Sequence, residues 1–194
     1  MARDRASRPE ARPLRLFVAF DVPEAVLDAV EGAEAAFREL HPRARWVPRQ
    51  NRHVTLKFLG STWPRLVGWV QGAVGEVAAR SEPVPSRLTG LGAFPNARRA
   101  RVLWAGLEDP EGRLAALAAS LDEALGREFA PEKRGFTAHL TIARFEPPAA
   151  LEGLDAAALA GDRFLVDRIV LYRSHLRRPA PVYEPLEVFG LGGR

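Results

Sequence analysis

The sequence predicts an α+β fold with two pseudo-symmetric lobes, each an antiparallel sheet with a helix, around a central groove. Three observations lead there. HVTLKFLG begins at His53, and HLTIARFE begins 86 positions later at His139. Arg15 precedes His53 by 38 residues, Arg101 precedes His139 by the same 38, and Ala19 and Ala105 match at the offset of 86. Between these marks both halves run strand, Pro-Glu helix start, amphipathic helix, strand. Internal similarity of this kind changes the architecture to expect. It points to a duplicated unit, about 15–98 and 101–191, in one bilobal domain spanning 14–194.

The elements follow in order. Residues 1–13 carry Arg3, Arg5, Arg8 and Arg12 without an apolar face and are expected to form a flexible basic tail. The apolar run from Leu16 to Phe20 predicts a strand, and Asp21 with Pro23 supplies a cap and an early proline for a helix. Its stripe is Val26, Val30, Ala33, Phe37 and Leu40, at helical spacing. Strands are expected around Trp46 and over 53–59, with a turn over 48–52. A second helix is expected over 64–79, although Gly68, Gly72 and Gly75 each weaken it by up to about 1 kcal/mol. A strand over 86–94 closes the first half. The second half repeats the order: a strand from Arg101, a helix opened by Pro110 and Glu111 with the stripe Leu114, Leu117, Leu121 and Leu125, and a strand over 136–145. A short Ala-rich helix near 149–160 and strands over 163–172 and 182–189, joined by an Arg-rich loop through His175, complete the chain.

Composition narrows the chemistry. A chain of 194 residues, 47% of them hydrophobic, can bury one sizeable core. There is no cysteine, hence no disulfide, no thiolate metal site and no cysteine nucleophile. Apolar runs fall far short of the ~20 residues that span a bilayer, and the N-terminus lacks a signal-peptide stretch. A soluble, cytoplasmic protein is expected. The formal charge is +4, carried mostly by arginine, with Lys57 and Lys133 the two lysines. Arginine suits bidentate phosphate contacts, although abundant Ala, Arg, Gly and Pro also follow from genome composition.

Two of the four histidines stand two residues before a threonine, at matching points of the repeat. Strand side chains alternate, so His53 and Thr55 share one face about 7 Å apart, and His139 and Thr141 do the same. Two such strands bring two imidazoles and two hydroxyls to one cleft. That set suits acid and base catalysis of phosphoryl transfer, with the hydroxyls donating to phosphate oxygens as charge builds. Neither motif has a nearby carboxylate or HExxH spacing, so a metal is not expected.

HVTLKFLG and HLTIAR, set behind RLFVAFDVP and RVLWAGL, resemble the 2H phosphoesterases. Within them the chain is similar to the bacterial and archaeal RNA 2',3'-cyclic phosphodiesterases once named 2'-5' RNA ligases. The similarity runs from Arg15 to about Leu191, and LGAFPN with LYRSHL and VYEPLEVFGL narrows it to this branch. The resemblance implies a metal-independent enzyme without cofactor that opens a terminal RNA 2',3'-cyclic phosphate to a 2'-phosphate, with 2'-5' joining as the same chemistry with another nucleophile. It implies His53 as general acid, His139 as base, Thr55 and Thr141 on the phosphate oxygens, and Arg144 on the phosphate. Arg144 stands at an odd offset from His139, so it reaches the site only if the strand ends, bulges or twists after Ala143; its repeat partner is Phe58. Some relatives stack the base on a first-strand aromatic ring, for which Phe17 is taken ahead of Phe20. Lys57 shares a face with His53 and Thr55 on an ideal strand and is a candidate for the RNA backbone. His41 has no assigned role, His175 belongs to a loop, and the four tryptophans fit packing positions. A monomer acting on RNA ends, with no membrane and no protein partner, is expected. Two alternatives stay open: a phosphodiesterase of a small nucleotide such as ADP-ribose cyclic phosphate, and a non-catalytic RNA-end binding protein.

Overall fold

Two four-stranded antiparallel sheets pack on one shared apolar core, and each half of the chain contributes strands to both. The structure is a computed structural model that describes residues 12–154, 159 and 161–192, so residues 1–11 of the expected tail lie outside it. Its elements are β1 (Leu14–Phe20), α1 (Glu24–Leu40), β2 (Arg45–Trp46), β3 (Val54–Thr62), α2 (Val67–Arg80), β4 (Val84–Ser86), β5 (Leu88–Phe94), β6 (Ala100–Leu107), α3 (Arg113–Leu125), β7 (His139–Ala149), β8 (Phe164–Val166), β9 (Arg168–His175) and β10 (Val182–Gly190). No helix among the described residues is long and apolar enough to cross a membrane.

The first sheet has the order β10-β9-β1-β3 and the second β2-β7-β6-β5, while β4 and β8 form a two-stranded ribbon. The exchange is reciprocal. β9, from the second half, pairs with β1 of the first, and β5, from the first half, pairs with β6 of the second. β4 and β8, each lying just before the exchanged strand, pair with one another. The helices follow the same rule: α3 packs against β3, and the His41 ring at the end of α1 stands edge-on to Phe145 of β7.

The expected stripes are the buried faces. Leu114, Leu117, Leu121 and Leu125 of α3 are all within the core, as are Val26, Val30 and Phe37 of α1; Leu40, at the helix end, is exposed. α2 forms despite its glycines because Val70, Val74 and Val77 bury one face. Two starts differ from expectation. Asp21 does not cap α1, whose N-cap is Pro23 with no side-chain hydrogen bond; the Asp21 carboxylate accepts instead from the Tyr172 hydroxyl at 2.8 Å. Glu111 has a positive φ of 57°, so α3 begins only at Arg113, and the Asp109 carboxylate accepts from the amides of Leu114 and Ala115 at 2.7 and 3.0 Å. In the described part of the expected helix near 149–160, Ala149 ends β7, residues 152–153 form a turn and Leu154 has 3-10 helical backbone; residues 155–158 and 160 lie outside the described residues.

Candidate active site

The floor of the site is set by one backbone device used twice. On β3, Val18 pairs with Lys57 and Ala19 with Thr55, which leaves Leu56 as an extra residue. On β7, Leu103 pairs with Ala143 and Trp104 with Thr141, which leaves Ile142 extra. Each is a β-bulge, and a bulge re-aims the side chains beyond it. Leu56 and Lys57 therefore both point into the core, as do Ile142 and Ala143, and the next residues, Phe58 and Arg144, turn outward. The bulge that Arg144 required is present, so Arg144 comes to the face of His139 and Thr141. The same bulge overturns the expectation for Lys57. Its side chain leaves the face of His53 and Thr55 and lies fully buried, donating to the Asp122 carboxylate and to the Ala130 carbonyl at 2.7 Å. Phe58, which sequence reasoning treated only as the partner of Arg144, is 59% exposed on the groove side.

His53 precedes β3 and lies in an aromatic nest. Phe17 stacks on it with centroids 4.7 Å apart and planes at 27°, and Tyr183 meets it edge-on at 5.1 Å. Tyr172 stacks on Phe17 at 5.3 Å and lies 6.2 Å from the imidazole. Phe17 thus faces the groove, as expected over Phe20, which is in the core. At 3% exposure, however, it is covered by His53, Tyr172 and Tyr183 and has no free face for a base. Burial among these rings pushes His53 well below its ordinary value, to about 4; the nearby Asn51 carbonyl and the Asp21 carboxylate act in the opposite direction.

The segment before His53 is firmly held. Asn51 is buried and donates from Nδ2 to the Pro181 carbonyl at 2.7 Å, two residues before Tyr183. Arg52 is buried with Glu34 of α1, donating to both carboxylate oxygens at 2.8 and 2.9 Å, and from Nε to the Val47 carbonyl at 3.2 Å. Arg49 pairs with Glu24, Asp28 and Glu31 along the same helix.

His139 opens β7. Its Nδ1 lies 2.7 Å from the Thr137 carbonyl, two residues back, as Asn51 is to His53. A carbonyl can only accept, so Nδ1 carries the proton and Nε2 is the free basic nitrogen. Burial lowers the pKa of His139 from its ordinary value, the Thr137 carbonyl opposes that, and the Arg144 guanidinium adds to it. Phe94 of β5 meets the ring edge-on at 5.2 Å, and Trp104 lies 6.2 Å away. The Trp104 indole occupies the space above Gly92, where any Cβ would fall 2.1 Å from it, so Gly92 is a glycine by close approach. Phe94 and Tyr172 are the aromatic neighbours that each sheet gains by strand exchange.

The two halves of the site meet because β3 and β7 are in contact. Burial raises the pKa of the Tyr183 hydroxyl on the first sheet, and the charges of Arg144 and Arg15 both oppose the rise, so Arg144 of the second sheet is within electrostatic reach of it. His175 is placed elsewhere: it pairs with Glu184 at 2.7 Å on the β9–β10 hairpin. A cavity of about 630 Å³ beside Val26, Ala29 and Phe164 is also apart from both imidazoles. Among the described residues no cluster of three or more His, Asp or Glu is arranged to hold a metal. The arrangement is suited to moving one proton in and one proton out across a bound anion.

The chain is similar to known proteins in both sequence and fold. The family model of the 2'-5' RNA ligase superfamily matches residues 21–178. The RNA 2',3'-cyclic phosphodiesterase of Thermus thermophilus is 37% identical over 190 residues, covering 93% of this chain and 91% of its own. That of Methanothermobacter thermautotrophicus is 32% identical over 186 residues, covering 92% and 99%. Among solved structures, TT0787 of Thermus thermophilus superposes with a TM-score of 0.81 at 30% identity, covering 93% and 99%. E. coli LigT complexed with 3'-AMP does so with 0.73 at 26% identity, covering 92% and 98%.

Proposed function

Because the chain belongs to the 2'-5' RNA ligase superfamily, we propose that it is an RNA 2',3'-cyclic phosphodiesterase that opens the terminal cyclic phosphate to a 2'-phosphate by two-histidine acid and base catalysis. The observation that carries this reading is the pair of imidazoles on contacting strands of two sheets, each with a backbone carbonyl two residues back at its ring. The names of the similar proteins and the 3'-AMP bound to one of them support RNA ends as the substrate class.

In this mechanism the oxygen of a water bonds to phosphorus and its proton passes to Nε2 of neutral His139. The bond from phosphorus to O3' breaks, and O3' takes a proton from protonated His53, leaving the 2'-phosphomonoester. Local charge supports this division of roles. Asp21 favours a charged His53, and Arg144 favours a neutral His139. Burial of His53 works against its charged form in the free protein; the phosphate anion bound beside it supplies the countercharge. Thr55 and Thr141 donate to the non-bridging oxygens, where one such donor is worth about 10²–10³ in rate. Arg144 neutralises the phosphate, and exposed Phe58 offers the ring face for the terminal base that Phe17 lacks. Attack by an RNA 5'-hydroxyl in place of water gives the 2'-5' joining reaction. The reading places the protein in the cytoplasm as a monomer.

The test is incubation of an oligonucleotide ending in 2',3'-cyclic phosphate with the protein and EDTA, followed by mapping of the product. A 2'-phosphate is expected. A 3'-phosphate, or turnover only with added metal, overturns the reading; turnover of ADP-ribose cyclic phosphate alone changes the substrate class.

A further inference from the structure

Lys57 lies on the strand of His53 and Thr55, yet its ammonium ends in the other half of the protein. It donates to Asp122 of α3 and to the Ala130 carbonyl, and the second Asp122 oxygen accepts from the Glu132 amide at 2.9 Å. One buried cation thereby fixes α3 and the beginning of the segment 130–138. That segment has no helix or strand and is mostly exposed over 131–135. It ends at Thr137, whose carbonyl orients His139, and Ala138, whose carbonyl accepts from the Leu107 amide at 3.0 Å. The far end of the segment is thus tied to the second sheet and the near end to the first. The matching position on β7 is Ala143, so the device exists once.

An ion pair whose cation is fully buried gains little stability over a well-packed apolar contact, because the ammonium loses its hydration. What it adds is direction: the ammonium must meet the Asp122 carboxylate and the Ala130 carbonyl at one point or leave a charge unpaired. We propose that Lys57, through Asp122 and Ala130, is a positioning residue that sets where the segment 130–138 departs from α3 and so where His139 stands relative to His53. The inference rests on the two-histidine reading given above.

The test uses Lys57→Met, which keeps the length and removes the charge, and the double variant K57M/D122L, which leaves no unpaired carboxylate. Turnover of the cyclic-phosphate oligonucleotide is measured with the imidazole resonances of the four histidines. Both variants are expected to remain folded at the assay temperature, to lose about 10²-fold in kcat, as a misplacement near 1 Å does, and to keep KM near that of the unsubstituted protein. The His139 resonance is expected to shift and broaden while that of His175, outside the groove, stays fixed. If Lys57→Met does not fold, the double variant decides. A folded variant with unchanged kcat and an unchanged His139 resonance overturns the proposal. Inactivity of the unsubstituted protein would instead contradict the proposed reaction, and the His139 resonance would still report on positioning.

Discussion

Phe58 and Arg144 stand at the same place beyond the same bulge, one on β3 and one on β7, and both turn to the groove. The site is therefore symmetric in its imidazoles and hydroxyls and asymmetric in the residue that follows them. In the proposed reaction, the aromatic face on one side and the guanidinium on the other hold the nucleotide by its two ends.

That asymmetry gives separable effects. Arg144→Ala is expected to lower kcat with the cyclic-phosphate oligonucleotide by about 10²-fold, since it removes charge stabilisation at the reacting group. Phe58→Ala is expected to raise KM with little change in kcat, by about 1–3 kcal/mol if the ring stacks a base. Steady-state kinetics of both variants check this; a Phe58→Ala defect confined to kcat would contradict it.

The pH dependence follows from burial of the rings. Reaction needs one neutral and one charged imidazole, and both are pushed below the ordinary value, His53 to about 4. At pH 7 the free protein holds both neutral, so the competent form grows as pH falls. The kcat/KM profile is expected to be a bell with its maximum below pH 6.5, its limbs belonging to the pair rather than to either residue. The kcat profile is expected to lie higher in pH, because bound phosphate favours the imidazolium. A kcat/KM maximum above pH 7 would contradict this.

Stability carries the same signature. Between pH 6.5 and about 4 the unfolded chain holds a proton on His53 that the folded chain does not. Lowering pH through that window favours unfolding, by about 1.4 kcal/mol for each unit of depression. Above pH 6.5 both states are neutral there and the effect vanishes. Urea melts at pH 7.5 and pH 5 are expected to show a larger loss for the unsubstituted protein than for His53→Leu. Equal losses would show that the ring is not buried as described.

Periodicity made the helices and most strands legible, and the repeat offset of His53 and His139 made the proposed catalytic pair legible. What escaped depends on distant chain. Phe17 was placed on the correct face, but the rings that cover it, Tyr172 and Tyr183, come from β9 and β10, brought to β1 by strand exchange. Lys57 and Phe58 exchange faces because an ideal period of two has no bulge. The conjunction of Arg144 with the HxTx spacing was the one sign of it, since an arginine at an odd offset reaches phosphate only past an extra residue. Asp21 reads as a helix cap by position, yet its partner is Tyr172, 151 residues away.

The most direct test of the central claim compares His53→Ala and His139→Ala with the unsubstituted protein on the cyclic-phosphate oligonucleotide, in EDTA, with circular dichroism recorded for each. Loss of one acid or base is worth about 10²–10⁴ in rate, so each variant is expected to fold and to lose at least that much. A folded variant of either kind that turns over at the unsubstituted rate would contradict the account.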